Sequence, residues 1–215
     1  MLEGIKMVIF DFDGTLVDSR EAAIYAFKRS VEDSIKQDVS EEKIVSLLGT
    51  KVSDVIEGLV PKNIRNRTAM IRKIKSVFDR LFVSEEGWKK IRLLPYAREL
   101  IKNLKERHFK ISICTNADRL MVESILKHQD LIQYFDSIIA ADDKFEKKED
   151  SMEFLINKFK VPKKAVIYIA DMVVDITVAR NVGIKIISVP GWDTKETLEE
   201  NDPDFLIESL KELIK

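Results

Sequence analysis

The sequence predicts an α/β fold: a parallel sheet with helices on both faces, and a helical block inserted after the first strand. Three observations carry this reading. From residue 95 onward, short apolar runs alternate with amphipathic helical stretches, the pattern of repeated strand–helix–strand units. Several of these runs stop abruptly at polar residues, as buried strands do when they leave the sheet. Between about 18 and 86, apolar residues recur at helical spacing with no convincing strand.

The elements follow in order. Residues 5–10 form the first strand, and the turn at Gly14 closes it. Asp18 or Ser19 can cap a helix whose apolar face is Ala22, Ala23, Ala26, Phe27 and Val31. Ser40 opens a second helix that ends at Gly49. A third covers 53–59, closed by Pro61, and a long fourth covers 64–83. Pro95 opens a helix to 106, because proline suits the first helical position. Strands at 110–114, 137–140, 165–170 and 184–189 then alternate with helices at 118–128, 152–159 (capped by Asp150) and 174–182, the last stopped by Gly183. A brief strand near 205–207 and a helix to 214 complete a three-layer, Rossmann-like core. The α/β core is expected at 1–17 and 87–215, and the helical block at 18–86.

Composition excludes several functions. The chain has 215 residues, 36 basic and 37 acidic, with formal net charge −1. No strong field invites nucleic acid or an anionic membrane. No apolar run approaches a membrane span. The first apolar stretch is short and Asp11 interrupts it, so no signal peptide is expected. Cys114 is the lone cysteine, which forbids an intrachain disulfide and fits a reducing, cytoplasmic setting. Oligomeric state stays open between monomer and homodimer.

The chemistry lies at the strand ends. Asp11 and Asp13 follow the first strand directly. Spaced by two, they point the same way if the extended conformation continues. Two carboxylates there repel unless a cation or a shared proton intervenes. An Asp-Gly pair is also an ordinary turn. The other polar ends are Thr115-Asn116, Asp142-Asp143 before a lysine cluster, and Asp171 with Asp175. In a parallel sheet these ends share one edge, where ligands bind. Acidic, hydroxyl, amide and ammonium groups together suit phosphoryl transfer with a divalent cation. Mg²⁺ prefers oxygen ligands.

These motifs resemble the haloacid dehalogenase-like hydrolase superfamily over essentially the whole chain, nearest its phosphoglycolate phosphatase-like and β-phosphoglucomutase-like branch. Asp11-Phe-Asp-Gly-Thr15 is similar to the family's first motif, Thr115-Asn116 to its second, and Asp171-Met-Val-Val-Asp175 to its fourth. The resemblance implies an α-helical cap domain at 18–86. It implies Asp11 as nucleophile, forming an aspartyl phosphate, and Asp13 as acid and base. It implies Mg²⁺ held by Asp11, the Asp13 backbone carbonyl and Asp171, with Asp175 acting through water. Thr115 and the Asn116 backbone would hold phosphate oxygens, with Lys148 in preference to Lys147 neutralising the phosphorylated Asp11; an ungapped alignment would put Glu146 there instead. The third motif lacks its usual prolines, and Ala170 and Met172 stand where the family usually has Gly and Ser or Thr.

The expected activity is Mg²⁺-dependent hydrolysis of a small phosphorylated metabolite, phosphoglycolate first. The alternatives are a sugar-phosphate mutase and a catalytically weak binding or regulatory homologue. Gly49-Thr50-Lys51 reads equally as a specificity loop of the cap and as a plain helix–helix turn. Trp192 reads as surface packing, His108 and His128 as solvated helix ends, and Cys114 as a small buried hydrophobe.

Overall fold

The structure, a computed structural model, describes residues 1–214; Lys215, the end of the expected core segment, lies outside the described residues. The order is β1 (Met7–Phe10), β2 (Val17–Asp18), then a run of helices: α1 (Arg20–Ile35), α2 (Glu41–Val45), α3 (Val52–Leu59), α4 (Arg67–Phe82) and α5 (Glu85–Trp88). Next come β3 (Arg92–Leu93), α6 (Ala97–Glu106), β4 (Lys110–Cys114), α7 (Arg119–His128) and β5 (Ser137–Ile139). The chain ends with α8 (Lys148–Phe159), β6 (Val166–Ala170), α9 (Val173–Val182), β7 (Lys185–Ser188), α10 (Lys195–Glu199) and β8 (Phe205–Leu206).

Six strands form one sheet in the order β5-β4-β1-β6-β7-β8, and every pair is parallel. β1 lies between β4 and β6, so three polar strand ends emerge side by side. The strands are apolar on both faces because both are covered. Val8 and Phe10 pack with Leu100, Ile101, Met121 and Val122 of α6 and α7. Met7 and Ile9 face the other way, toward Met152, Leu155, Ile176 and Ala179 of α8 and α9. The first of these apolar clusters continues without a break into the helical block, through Phe27, Val55 and Phe78. There the rings of Phe27 and Phe78 stack at 4.3 Å, and Phe82 lies 5.7 Å from Phe78. No helix among the described residues is long and apolar enough to cross a membrane.

Several boundaries differ from expectation, each for a local reason. Ser19 stands at the N-cap of α1 without capping it; its hydroxyl goes to Asp13 instead. α8 starts at Lys148 rather than after Asp150, which sits in its first turn, where a carboxylate faces the positive end of the helix. α4 begins at Arg67 because Asn66 adopts a left-handed turn at φ 54°. The last helix is a single 3-10 turn, Leu210–Leu213. α5, α10 and the ribbon of β2 with β3 were not expected, being too short to show a period. α5 runs across the expected 86/87 junction. The ribbon pairs Val17 with Leu93, so the two strands connecting the block to the sheet are clipped to each other.

Phe82 is fully buried. Phe82→Ala is expected to cost ~3–5 kcal/mol, seen as a lower urea midpoint with an unchanged slope.

Candidate active site

Asp11 leaves the sheet at its centre, and its amide donates to the Ile169 carbonyl on β6 at 2.9 Å. β6 delivers Asp171 on one side and β4 delivers Thr115 on the other. The first turn of α9 adds Asp175, and the first residue of α8 adds Lys148. Carboxylate oxygens of Asp11, Asp171 and Asp175, all buried, lie within 4.8 Å of one another. Lys148 Nζ donates to Asp11 Oδ1 at 3.0 Å and to Asp175 Oδ1 at 2.8 Å. The Tyr168 hydroxyl donates to that same Asp175 oxygen at 2.9 Å.

Asp171 is held from two sides. Thr15 Oγ1 donates to its Oδ1 at 2.8 Å, and the Trp192 amide donates to its Oδ2 at 2.7 Å. This requires close backbone approach. Gly14 has φ +81°, and a Cβ there would sit 2.1 Å from Asp171 Oδ2. A Cβ at Gly191 would sit 2.2 Å from the Gly14 carbonyl oxygen. Only glycine fits either position without displacing the carboxylate.

The electrostatics follow from crowding. Burial lifts the Asp11 carboxyl to about 7, against the pull of Lys148. Burial, then the charge of Asp11, pushes Asp171 well above the usual carboxylate range. Burial alone would lower the Lys148 ammonium, yet Asp11 and Asp175 outweigh it and hold it above its ordinary value. One ammonium therefore undercompensates three carboxylates. Hard oxygen donors, close together and short of positive charge, are the donor set that a divalent cation such as Mg²⁺ takes. Asp13 stands outside this trio and accepts from the Ser19 hydroxyl. Burial raises it to about 6, although Ser19 works the other way. A carboxyl poised near neutrality can both give and take a proton.

Asp11, Asp13, Thr115, Asn116, Lys148 and Asp175 line one pocket of about 600 Å³ atom-free space, part of it open to solvent. Thr115 Oγ1 accepts from the Ala117 amide at 3.1 Å, and Asn116 Nδ2 donates to the Gly49 carbonyl at 2.8 Å. Gly49 and Thr50 line the same pocket, while Lys51 donates to the Phe145 carbonyl at 3.4 Å.

Some expectations need correction. Of the lysine pair, Lys148 reaches the carboxylates, whereas Lys147 is the exposed N-cap of α8; Glu146 is exposed as well. Asp142 and Asp143 do not join the site. Asp142 accepts from the Arg119 amide at 2.8 Å, and Asp143 pairs with the Arg119 guanidinium at 2.6 Å. Trp192 is half-buried in the pocket wall rather than packed on the outer surface. His128 is exposed but stacks on Trp88 at 4.6 Å. Ser19, Tyr168 and the Gly191-Trp192 backbone were not expected to serve the site. The Pro190-Gly191 turn at a strand end was a usable signal for the last; Tyr168 reads only as a core strand residue.

A model of the haloacid dehalogenase-like hydrolase family matches residues 8–189. A phosphoglycolate phosphatase of Vibrio parahaemolyticus is 26% identical, covering 99% of this chain and 96% of its own length. The pyrophosphatase PpaX of Halalkalibacterium halodurans is 27% identical, covering 98% and 95%. Among solved structures, a haloacid dehalogenase-like family protein from Streptococcus pneumoniae superposes with a TM-score of 0.82 at 20% identity, covering 98% of this chain and 97% of the other.

Cys114 touches this region without serving it. It is 1% exposed, and burial pushes its thiol up to about 12. At pH 8 its thiolate fraction is on the order of 10⁻⁴. Ellman's reagent is expected to leave the folded protein unlabelled and to titrate one thiol after urea unfolding.

Proposed function

We propose, from the premise that the chain belongs to the haloacid dehalogenase-like hydrolases, that it is an Mg²⁺-dependent phosphatase of a small phosphorylated metabolite working through an aspartyl phosphate. One observation carries this reading. Asp11 opens onto the pocket that holds Asp13, Thr115 and Asn116, with Lys148 bonded to it and two further carboxylates within 4.8 Å.

Asp11 Oδ attacks phosphorus, and the bond to the ester oxygen breaks. Asp13, protonated, hands its proton to that oxygen, and the alcohol leaves. Asp13, now a carboxylate, takes a proton from water as the water oxygen attacks phosphorus. The bond to Asp11 breaks and inorganic phosphate is released. Lys148 balances the charge on the phosphorylated Asp11. The Thr115 hydroxyl and the Asn116 backbone N–H hold phosphate oxygens. Asp11, Asp171, Asp175 and the Asp13 carbonyl would hold the cation. Bound there, Mg²⁺ supplies positive charge that offsets the phosphate and fixes its orientation.

The helical block at 18–86 serves as the cap that excludes water from this chemistry. The buried lone cysteine fits work in the cytoplasm, as monomer or homodimer. Lys148 bonds to Asp11 despite its altered motif, which favours a working enzyme over an inactive homologue. Phosphoglycolate and pyrophosphate, from the names of the relatives, enter the first substrate panel.

Phosphate release from a monoester panel is expected with Mg²⁺ and not with excess EDTA; Mg²⁺ restores it. Asp11→Asn should lower turnover by ~10³-fold or more with an unchanged circular dichroism spectrum; retained activity would refute the nucleophile. Asp13→Asn should impair alkyl phosphates far more than p-nitrophenyl phosphate, whose leaving oxygen needs no proton. Equal impairment of both would remove Asp13 as the acid.

A further inference from the structure

We propose that the ester cleaved here carries an uncharged, apolar leaving group, an alkyl or arylalkyl alcohol with no second acid. This rests on the phosphatase reading and narrows its substrate class. Beyond the carboxylates and the polar residues beside them, the cap side of the pocket wall is apolar: Ala23, Phe27, Val52, Val55 and Phe78, with Met121 of the core domain. Its charged side chains are three carboxylates and the ammonium of Lys148, which Asp11 and Asp175 already engage.

Most neutral donors of the wall are engaged within the protein; the Thr115 hydroxyl is left for the phosphate, and the Trp192 indole N–H, which has no partner, is one neutral donor that cannot balance a full negative charge. The Ser19 hydroxyl goes to Asp13, Thr50 Oγ1 to the Leu47 carbonyl at 2.8 Å, and the Asn116 amide to the Gly49 carbonyl at 2.8 Å. Two cations that adjoin lining residues in sequence are turned to other partners. The Arg20 guanidinium donates to the Trp192 carbonyl at 3.0 Å and lies over that ring. Lys51 is bonded to the Phe145 carbonyl. Neither lines the pocket. A carboxylate or second phosphate on the leaving group would therefore lose its water and meet phenyl rings and methyl groups. Burying an unpaired charge is costly, whereas a hydrocarbon group gains from the same wall.

The test compares benzyl phosphate, phosphoglycolate and pyrophosphate at pH 7 with saturating Mg²⁺. Benzyl phosphate and phosphoglycolate release alcohols of similar acidity, so their ratio reports the pocket rather than bond strength. The expected kcat/KM for benzyl phosphate exceeds both others by about 10-fold or more. Phosphoglycolate or pyrophosphate matching or beating it would overturn the apolar leaving group and leave the phosphatase reading standing. Hydrolysis of none of the three, nor of any panel monoester, would overturn both. Val52→Ala thins the wall without touching a charged group, and is expected to shrink the benzyl preference several-fold. An unchanged ratio would mean that this wall does not set specificity, which also overturns the proposal.

Discussion

The buried ion pairs of Lys148 with Asp11 and Asp175 are the constraint on which the site depends. Carboxylates this close cannot all ionise in a low-dielectric interior without a partner. Lys148 supplies one unit of positive charge from the first turn of α8 and still leaves the cluster short. Burial first, and the neighbouring carboxylates second, raise the Asp11 and Asp171 carboxyls. A protein that held this arrangement for stability alone would gain little, since a buried ion pair rarely outperforms apolar packing. On the function proposed above, its worth lies in the cation and the phosphate it would receive.

Around that cluster the backbone is drawn in unusually tightly. Asp171 has one oxygen on the Thr15 hydroxyl and the other on the Trp192 amide. Gly14 and Gly191 let two loops close to within contact of it. Such support keeps a ligand in one orientation. Tyr168 does the same for Asp175 from below the sheet end. The clustered carboxylates and the groups that aim them thus come from neighbouring strands and their following loops.

Much of this was readable beforehand. Strand–helix alternation identified the sheet, and Asp11, Asp13, Thr115 and Asp171 stood out because charge or hydroxyl directly followed an apolar run. Three strand ends sit together because β1 lies between β4 and β6, an adjacency that parallel topology makes natural but no local pattern specifies. Asp142 and Asp143 follow a strand in the same manner, yet Asp142 takes the Arg119 amide at the start of α7 and Asp143 the Arg119 guanidinium; the sequence shows the acid, not its partner. Tyr168 was hidden because a buried aromatic in a strand looks the same whether or not its hydroxyl finds a carboxylate. The β2–β3 ribbon and α5 were too short to have a period at all.

Met172 reaches toward the loop of the helical block. A Cβ on Gly49 would lie 2.8 Å from both its sulfur and its methyl carbon. Positions 49 and 172 therefore share a single volume. A side chain at 49 would have to push the flexible end of Met172 aside and would also be strained at φ +90°, so glycine at 49 is what lets the loop rest on the methionine.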